Sequence, residues 1–304
     1  MTPTTPESPD GVLVVDKPAG LSSHDVVAAV RRALRGARVG HTGTLDPIAT
    51  GVLPLLVGRA TRLARYLAGA HKSYEADVRF GWFTDTYDSA GAPTGPSQSA
   101  ELDRVRLEAA LDAFRGTFFQ QPPAYSAKKV RGTRAYALAR ASREVQLEPV
   151  QVTVSSLRLE GLVGDTAKLV LTVSAGFYVR ALAHDLGAVM GVGAHLAGLR
   201  RTSSGEFHLS QAVPFATLME EPGAAAAGLI PLGAVLTHLP GCRVNGEGLR
   251  WVRHGRDLEP RLLIDAPPAA PLGPLRLLDE GGALVALAVV REGSGALHPA
   301  VVLR

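Results

Sequence analysis

The sequence predicts an α+β fold: a large body of mixed strands and helices followed by a small β-rich module. Three observations carry this. Up to about residue 209, helical apolar stripes occur together with alternating strand patterns, two of which, Val150–Leu159 and Ala167–Ser174, read as an antiparallel hairpin. Between Pro222 and Pro240 the composition shifts to Ala, Gly and Pro, which marks a boundary. Beyond it, Gly, Leu and Val recur from Cys242 to Arg304, with Leu284–Val290 as the clearest strand. A chain of 304 residues with 46% hydrophobic content can bury such a core and carry a companion module.

Taken in order, residues 1–10 (MTPTTPESPD) read as a disordered tail, rich in proline and without a secretion signal. Gly11–Asp16 is an apolar run closed by Lys17 and Pro18, which suits a buried strand. Ser22 and Asp25 have capping-box spacing, Val26, Val27, Val30, Ala33 and Leu34 form one stripe, and Gly36 supplies the stop, so a helix is expected there. Gly40–Gly51 (GHTGTLDPIATG) is a glycine-punctuated loop of the kind that carries function. Ala60–Ala68 then reads as a basic amphipathic helix and Tyr74–Phe80 as a half-buried strand, with Asp88–Gly95 as turn.

Leu102–Phe114 has helical periodicity ended by Gly116. Phe118–Glu148 shows no sustained strand pattern and is expected to be a loop, with a short helix near Ala135–Ala141. Val150–Leu159 and Ala167–Ser174 should pair as a hairpin around Gly161–Asp165, and a helix over Tyr178–Met190 closes the unit. Ala224–Leu236, the longest apolar window, is too short and too interrupted to span a membrane, which takes roughly 20 apolar residues, and is expected to be buried.

Composition excludes several functions. The single cysteine, Cys242, rules out an internal disulfide framework and a cysteine-rich zinc site, and fits a reducing cytoplasm. There is no GxxxxGK[ST] loop, no GxGxxG fingerprint, no HExxH and no G-x-S-x-G elbow, so nucleotide hydrolysis and hydride transfer lose support. No metal or cofactor is expected. Net charge is only +4, but the basic residues cluster: Arg31, Arg32, Arg35 and Arg38; Arg59, Arg62, Arg65 and Lys72; Lys128, Lys129, Arg131 and Arg134. A polyanion is the natural partner for such clusters, although each alone is also what a solvated helix face looks like.

Within this frame Asp46 is the candidate reactive group. An Asp before Pro47 is ordinary turn chemistry, but this one sits in a glycine-bearing loop near His41, between arginine-rich helices, where a carboxylate would stay ionised and nucleophilic. Arg180 falls in the first turn of a predicted helix, the unfavourable end of the dipole for a cation, and therefore needs an acidic partner; Asp46 and Asp185 are both eligible. An Arg180–Asp46 pair would lower the carboxylate's pKa. Tyr74 and Tyr178 begin regular elements, where a ring either stacks on a base in a cleft or packs into the core.

From Val12 to Leu67 the chain closely resembles the tRNA pseudouridine synthase B (TruB) family, through VDKPAGLSSHD and GHTGTLDPIATGVLPLLVGRATRL. The resemblance continues through KSYEADVRFGWFTDTYDSAG, FRGTFFQQPPAYSAKKVRGTRAY, SAGFYVRALAHDLG and GAHLAGLRRTSSGEF, and so covers Gly11 to about Leu209. It departs at His24, and at Ala175 and Phe177, none of them a catalytic position. The resemblance implies a pseudouridine synthase fold over residues 11–235, with a central mixed or antiparallel sheet flanked by helices. A PUA-like RNA-binding module over residues 240–304 is implied more weakly, through VNGEGLRWVRHGRDL and GGALVALA.

By the same resemblance Asp46 is the catalytic aspartate, Tyr74 the ring against the target base and Arg180 the aspartate's partner. Tyr178, His41, Lys17, Lys128, Lys129 and Arg131 are substrate-binding, the last three in a loop over residues 125–148 that grips the RNA. The implied activity is conversion of uridine to pseudouridine at position 55 in the T-arm loop of tRNA by base flipping, without cofactor or metal, in the cytoplasm and with no obligate protein partner. Two other functions fit the same charges: a non-catalytic RNA-binding or RNA-chaperone protein, and a synthase acting on ribosomal RNA.

Overall fold

A computed structural model of the chain describes residues 9–99, 101–126, 128–130, 133–135, 141, 147–221, 223–266 and 273–303, with the backbone alone at 129, 130, 133 and 134. Its larger part is one mixed sheet in the order β12-β1-β3-β10-β4-β9-β8-β5. The strands are β1 (Gly11–Lys17), β2 (Val39–His41), β3 (Ala49–Val57), β4 (Lys72–Phe80), β5 (Gly116–Gln120), β8 (Val150–Val163), β9 (Thr166–Val173), β10 (Ala194–Ser204), β11 (Phe207–His208), β12 (Val213–Pro214) and β13 (Leu229–Ile230). A small separate hairpin is formed by β6 (Lys129–Val130) and β7 (Thr133–Arg134).

The helices are α1 (Ser23–Ala33), α2 (Ala64–Ala68), α3 (Arg104–Asp112), α4 (Val179–Met190), α5 (Phe215–Glu220), α6 (Ala224–Ala227) and α7 (Gly246–Arg253). None of the described helices is long and apolar enough to cross a membrane. A second sheet, β14 (Gly241–Arg243), β15 (Leu275–Leu278), β16 (Leu284–Val290) and β17 (Leu297–Val302), closes the chain.

The main sheet divides the apolar residues by strand alternation. One face, with Leu13, Val15, Tyr74, Ala76, Val78 and Leu171, packs against α1, α3 and α4 in the principal core. The opposite side of β1 and β3, with Val12, Val14, Val52 and Leu56, packs instead against Leu284 and Leu287 of the C-terminal sheet and Leu303 just after it. The C-terminal module therefore shares a core with the larger body. The Arg62 guanidinium adds a bond to the Val302 carbonyl (2.6 Å).

The helix α1 starts as its sequence requires: the Ser22 side chain accepts from the Asp25 amide, and the Asp25 carboxylate accepts from the Ser22 amide. Close approach explains two glycines. A Cβ at Gly187 of α4 would lie 2.1 Å from the Ala194 nitrogen, and one at Gly51 of β3 would lie 2.2 Å from the Arg201 carbonyl oxygen, so only glycine lets α4 and β3 meet β10.

Several expectations are corrected here. Gly116–Gln120 is a strand, paired in register with Val150–Val154, where a loop was expected from Phe118 onward. Its five residues are too few to show alternation, and their pairing partner lies some thirty positions away. Ala60–Ala68 is a 3-10 turn (Gly58–Leu63) leading into α2 rather than one helix. The window Ala224–Leu236 is split among α6, β13 and a 3-10 turn and is only partly buried, with β13 paired along β1. Asp10, expected in the tail, forms an ion pair with Arg59. The short helix expected near Ala135–Ala141 lies largely outside the described residues.

Candidate active site

Asp46 stands in the turn between β2 and β3, and the backbone on either side of it is pinned. Ser23, the first residue of α1, accepts a hydrogen bond from the Leu45 amide (2.8 Å) and donates one to the Leu45 carbonyl (3.0 Å). The Leu45 side chain is buried in the core. On the other side, the Ala49 amide donates to the Asp46 carbonyl (3.0 Å) and the Gly20 amide to the Pro47 carbonyl (2.8 Å). Lys17 lies beneath, fully buried, its ammonium donating to the carbonyls of Pro18, Leu21 and, at 3.5 Å, Pro47.

The Asp46 carboxylate meets Arg180, the second residue of α4: Nε lies 2.9 Å from Oδ2 and Nη2 donates to Oδ1 at 3.3 Å. The rest of the guanidinium is also occupied. Nη1 donates to the Thr86 carbonyl (3.0 Å) and lies 3.4 Å from Asp88 Oδ2, while Nη2 donates to the Tyr125 carbonyl (2.8 Å). Asp88 is buried, and its Oδ1 accepts from the Thr86 hydroxyl (2.6 Å) and the Ala90 amide (3.1 Å). The intervening Tyr87 has a left-handed backbone (φ 65°) and stacks on His184, one turn after Arg180 on α4, at 3.9 Å between ring centres. Two carboxylates and two carbonyls thus offset the cost of an arginine at a helix N-terminus.

These groups open into a cavity of about 270 Å³ lined by Asp46, Tyr74, Tyr178, Arg180, Lys72 and Arg201 among others. Tyr74 rises from β4, between Leu171 of β9 and Arg201 of β10. Tyr178 is fixed by Gln120, whose side chain accepts from its amide (2.8 Å) and donates to its carbonyl (3.0 Å); burial pushes its phenol above the ordinary pKa. Arg201 is almost wholly buried and donates to the carbonyls of Val52 (2.6 Å) and Gly43 (3.2 Å).

The Lys72 ammonium donates to the Ala68 and Ala70 carbonyls, and burial, with Arg201 nearby, lowers its pKa to about 8. Burial lowers Lys17 to about 8 as well. For Asp46 the shift is upward. Although 37% of its side chain remains open toward the cavity, the dense protein around it disfavours the charge more than Arg180 favours it, and Asp88 adds to the rise. The lowering expected from an Arg180 pair is thus outweighed.

Among the described residues, no group of three or more His, Cys, Asp or Glu is placed to hold a metal ion. The cavity offers instead a flat aromatic wall, a carboxylate and a cationic rim, which together suit one uncharged base carried on an anionic chain.

Two family models match the chain: the N-terminal domain of the TruB family pseudouridylate synthases over residues 31–179, and the tRNA pseudouridylate synthase B C-terminal domain over residues 180–227. A tRNA pseudouridine synthase B of Solibacter usitatus is 46% identical over 97% of this chain and the whole of that protein.

The chain belongs to the TruB family.

It is accordingly an isomerase that forms pseudouridine in tRNA. A second relative, from Symbiobacterium thermophilum, is 48% identical over 81% of this chain and 82% of its own length. Among solved structures, the archaeal box H/ACA sRNP Nop10-Cbf5 complex (TM-score 0.73, 24% identity, 98% of this chain and 87% of that one) has the same fold. So has an H/ACA RNP bound to a substrate RNA containing 2'-deoxyuridine (TM-score 0.72, 23% identity, 99% and 91%).

Of the residues singled out in the sequence, the TruB-family fold brings Asp46, Tyr74, Tyr178 and Arg180 into one cavity. Asp185, the other partner considered for Arg180, pairs with His184 instead. Lys17 is placed below the cavity, where its buried ammonium holds backbone carbonyls and has no face toward a substrate. His41 ends β2, half-buried and opposite Leu55, just outside the cavity lining. Lys128 is half-buried and its carbonyl accepts from the Ala135 amide (2.7 Å); Lys129 is in β6, and Arg131 lies outside the described residues.

Asp88, Lys72, Arg201, Ser23 and Gln120 were not identified as site residues from the sequence. Lys72 stood in a basic cluster, and Asp88 opened a segment read only as turn. The other three gave no local signal, since each acts through a partner 22 or more positions away.

Proposed function

We propose that this enzyme isomerises one uridine in the T-arm loop of tRNA, with the base turned out of its stack into the cavity at Asp46. The bond from N1 to the ribose C1′ breaks, the uracil turns within the cavity, C5 joins C1′, and the C5 proton is released while N1 gains one. Tyr74 packs on the ring, and Tyr178 lines the same wall. Arg180 holds the Asp46 carboxylate in place as the charged group the reaction needs, whether that group attacks base or sugar or assists proton loss from the sugar. The observation that carries this reading is the junction of Asp46, Arg180 and Asp88 opening onto an aromatic wall.

The basic residues of α1, of residues 58–72 and of residues 128–134 contact phosphates, and the C-terminal four-stranded sheet serves as a PUA-like RNA-binding module. The setting is the cytoplasm. The deciding substitution is Asp46→Asn, which keeps shape and removes charge: folding and RNA affinity should persist while turnover disappears. Release of tritium from C5-labelled uridine by this variant, at more than about 1% of the wild-type rate, would refute the carboxylate's role. Mapping pseudouridine in a treated transcript checks the T-arm assignment. An unmodified transcript would leave the RNA-chaperone reading standing.

A further inference from the structure

On α4, His184 follows Arg180 by four positions, so the two side chains leave the same face of the helix one turn apart. Arg180 reaches Asp46, whereas His184 reaches the turn that supports Arg180. The half-buried imidazole stacks on Tyr87, with ring centres 3.9 Å apart and planes 27° apart, and meets Phe83 at 4.7 Å in a tilted contact.

Residues 83–88 bring two acceptors to the guanidinium from either side of Tyr87. The Thr86 carbonyl accepts from Nη1 at 3.0 Å, and Asp88 Oδ2 lies 3.4 Å from the same atom. Between them Tyr87 is at φ 65°, a left-handed setting that a bulky side chain rarely adopts and that its surroundings must hold. β10 holds one side of it: the Tyr87 carbonyl accepts from the Leu196 amide (3.0 Å), and the Ser89 amide donates to the Leu196 carbonyl (2.9 Å). Toward α4, the stack on His184 is a hold independent of the guanidinium.

A change in that φ rotates the Thr86–Tyr87 peptide against the Tyr87 ring. Packing the ring on His184 takes away one of the two ways such a rotation could be absorbed, and so favours the setting in which the Thr86 carbonyl stays on Nη1. We propose that His184 is a positioning residue: by stacking on Tyr87 it holds the Thr86–Asp88 turn in the conformation that orients the Arg180 guanidinium against Asp46. This deepens the function proposed above and rests on it for the part Asp46 plays in the rate. A stack that only attached the turn to the helix would add stability and leave the guanidinium where it is.

The test uses four substitutions in the full chain. His184→Ala removes one ring and frees only Asp185, which is open to water; Tyr87→Gly removes the other at a φ that glycine adopts freely. His184→Phe and Tyr87→Phe keep a ring at each place. The readouts are single-turnover tritium release at saturating RNA and the nitrogen-15 resonance of Arg180 Nε, assigned by its loss in Arg180→Lys. A displacement of about 1 Å in a reacting group costs on the order of a hundredfold, and a loosened turn should move Asp46 by less. His184→Ala and Tyr87→Gly should therefore each lose roughly tenfold in rate constant, with Kd for RNA within about threefold of the wild type, and the Nε resonance should shift or broaden in both. Both phenylalanine variants should keep the wild-type resonance and a rate constant within about twofold.

An unmoved resonance in both ring-removing variants overturns the proposal whatever the rate does, as does a loss that the phenylalanine variants share. A moved resonance with an unchanged rate constant overturns it as well, unless Asp46→Asn also turns over. In that case the catalytic reading of Asp46 is what fails, and the displaced Nε still places His184 behind the guanidinium.

Discussion

Ser23 pins the peptide just before Asp46, the carboxylate proposed to be catalytic, and Ser23→Ala should expose that role. Its hydroxyl satisfies both polar groups of the Leu45 peptide, at 2.8 and 3.0 Å, and is itself 2% exposed, so water has no route to replace it. Leaving a buried donor and a buried acceptor unpaired costs about 1–3 kcal/mol each, and partial relaxation brings the expected loss to roughly 2–4 kcal/mol. That is a sizeable share of the roughly 5–15 kcal/mol that holds a typical domain folded.

The peptide relaxes by moving, and Asp46 is the next residue. A shift of about 1 Å in a reacting group costs on the order of a hundredfold in rate. Urea denaturation should therefore show the stability loss, and single-turnover tritium release at saturating RNA should fall by roughly 30- to 100-fold while Kd for RNA stays within about threefold. Full stability loss with an unchanged rate constant would refute the reasoning, for it would mean that the Leu45 peptide does not set the carboxylate's place.

Burial, with Asp88 adding to it, raises the Asp46 pKa, so if the proposed reaction uses the ionised carboxylate, the acid limb of the pH–rate profile should lie above the ordinary carboxylate value of about 4; a limb at or below 4 would contradict this. Lys72, lowered to about 8, loses its charge as pH rises through that value, so RNA affinity should fall between pH 7 and 9.5 in the wild type and stay flat in Lys72→Met, as measured by filter binding. If phosphate contacts supply much of the affinity, log K should drop against log salt with a slope steeper than about −2, and a flat titration would count against a polyanionic partner.

Local chemistry made much of the fold legible. The Ser22–Asp25 box starts α1, the hairpin of β8 and β9 turns at Gly164, and Leu284–Val290 is a strand with the bounds its pattern indicates. What stayed hidden depends on distant pairing. β5 has little pattern of its own and exists because β8 offers it an edge. Arg180 advertised its need for an acid through its place in the first turn of α4, and Asp46 answers it, but nothing local showed that Asp88 would answer too. Lys17, which the family resemblance pointed to as substrate-binding, is carried by β1 into the interior, where its ammonium donates to the carbonyls of Pro18, Leu21 and Pro47 and feels the charge of Asp46.

The double pairing of Arg180 explains how Asp46 can be held firmly and still remain reactive. Arg180 reaches both oxygens of Asp46, at 2.9 and 3.3 Å, a contact that by itself would draw the carboxylate's pKa down. Here the same guanidinium is divided among Asp46, Asp88 and two carbonyls, so its orientation is fixed by Thr86, Asp88 and Tyr125 while its charge is shared between two acids. Burial outweighs that contact, and the negative charge of Asp88 adds to the rise, so the Asp46 pKa goes up. On the proposed function, a base entering the cavity would remove solvent from the 37% of that side chain still open and raise the pKa further. Asp88 thus adds to the upward shift of the Asp46 carboxyl through its own negative charge, while its pairing with Arg180 helps fix the guanidinium that holds Asp46.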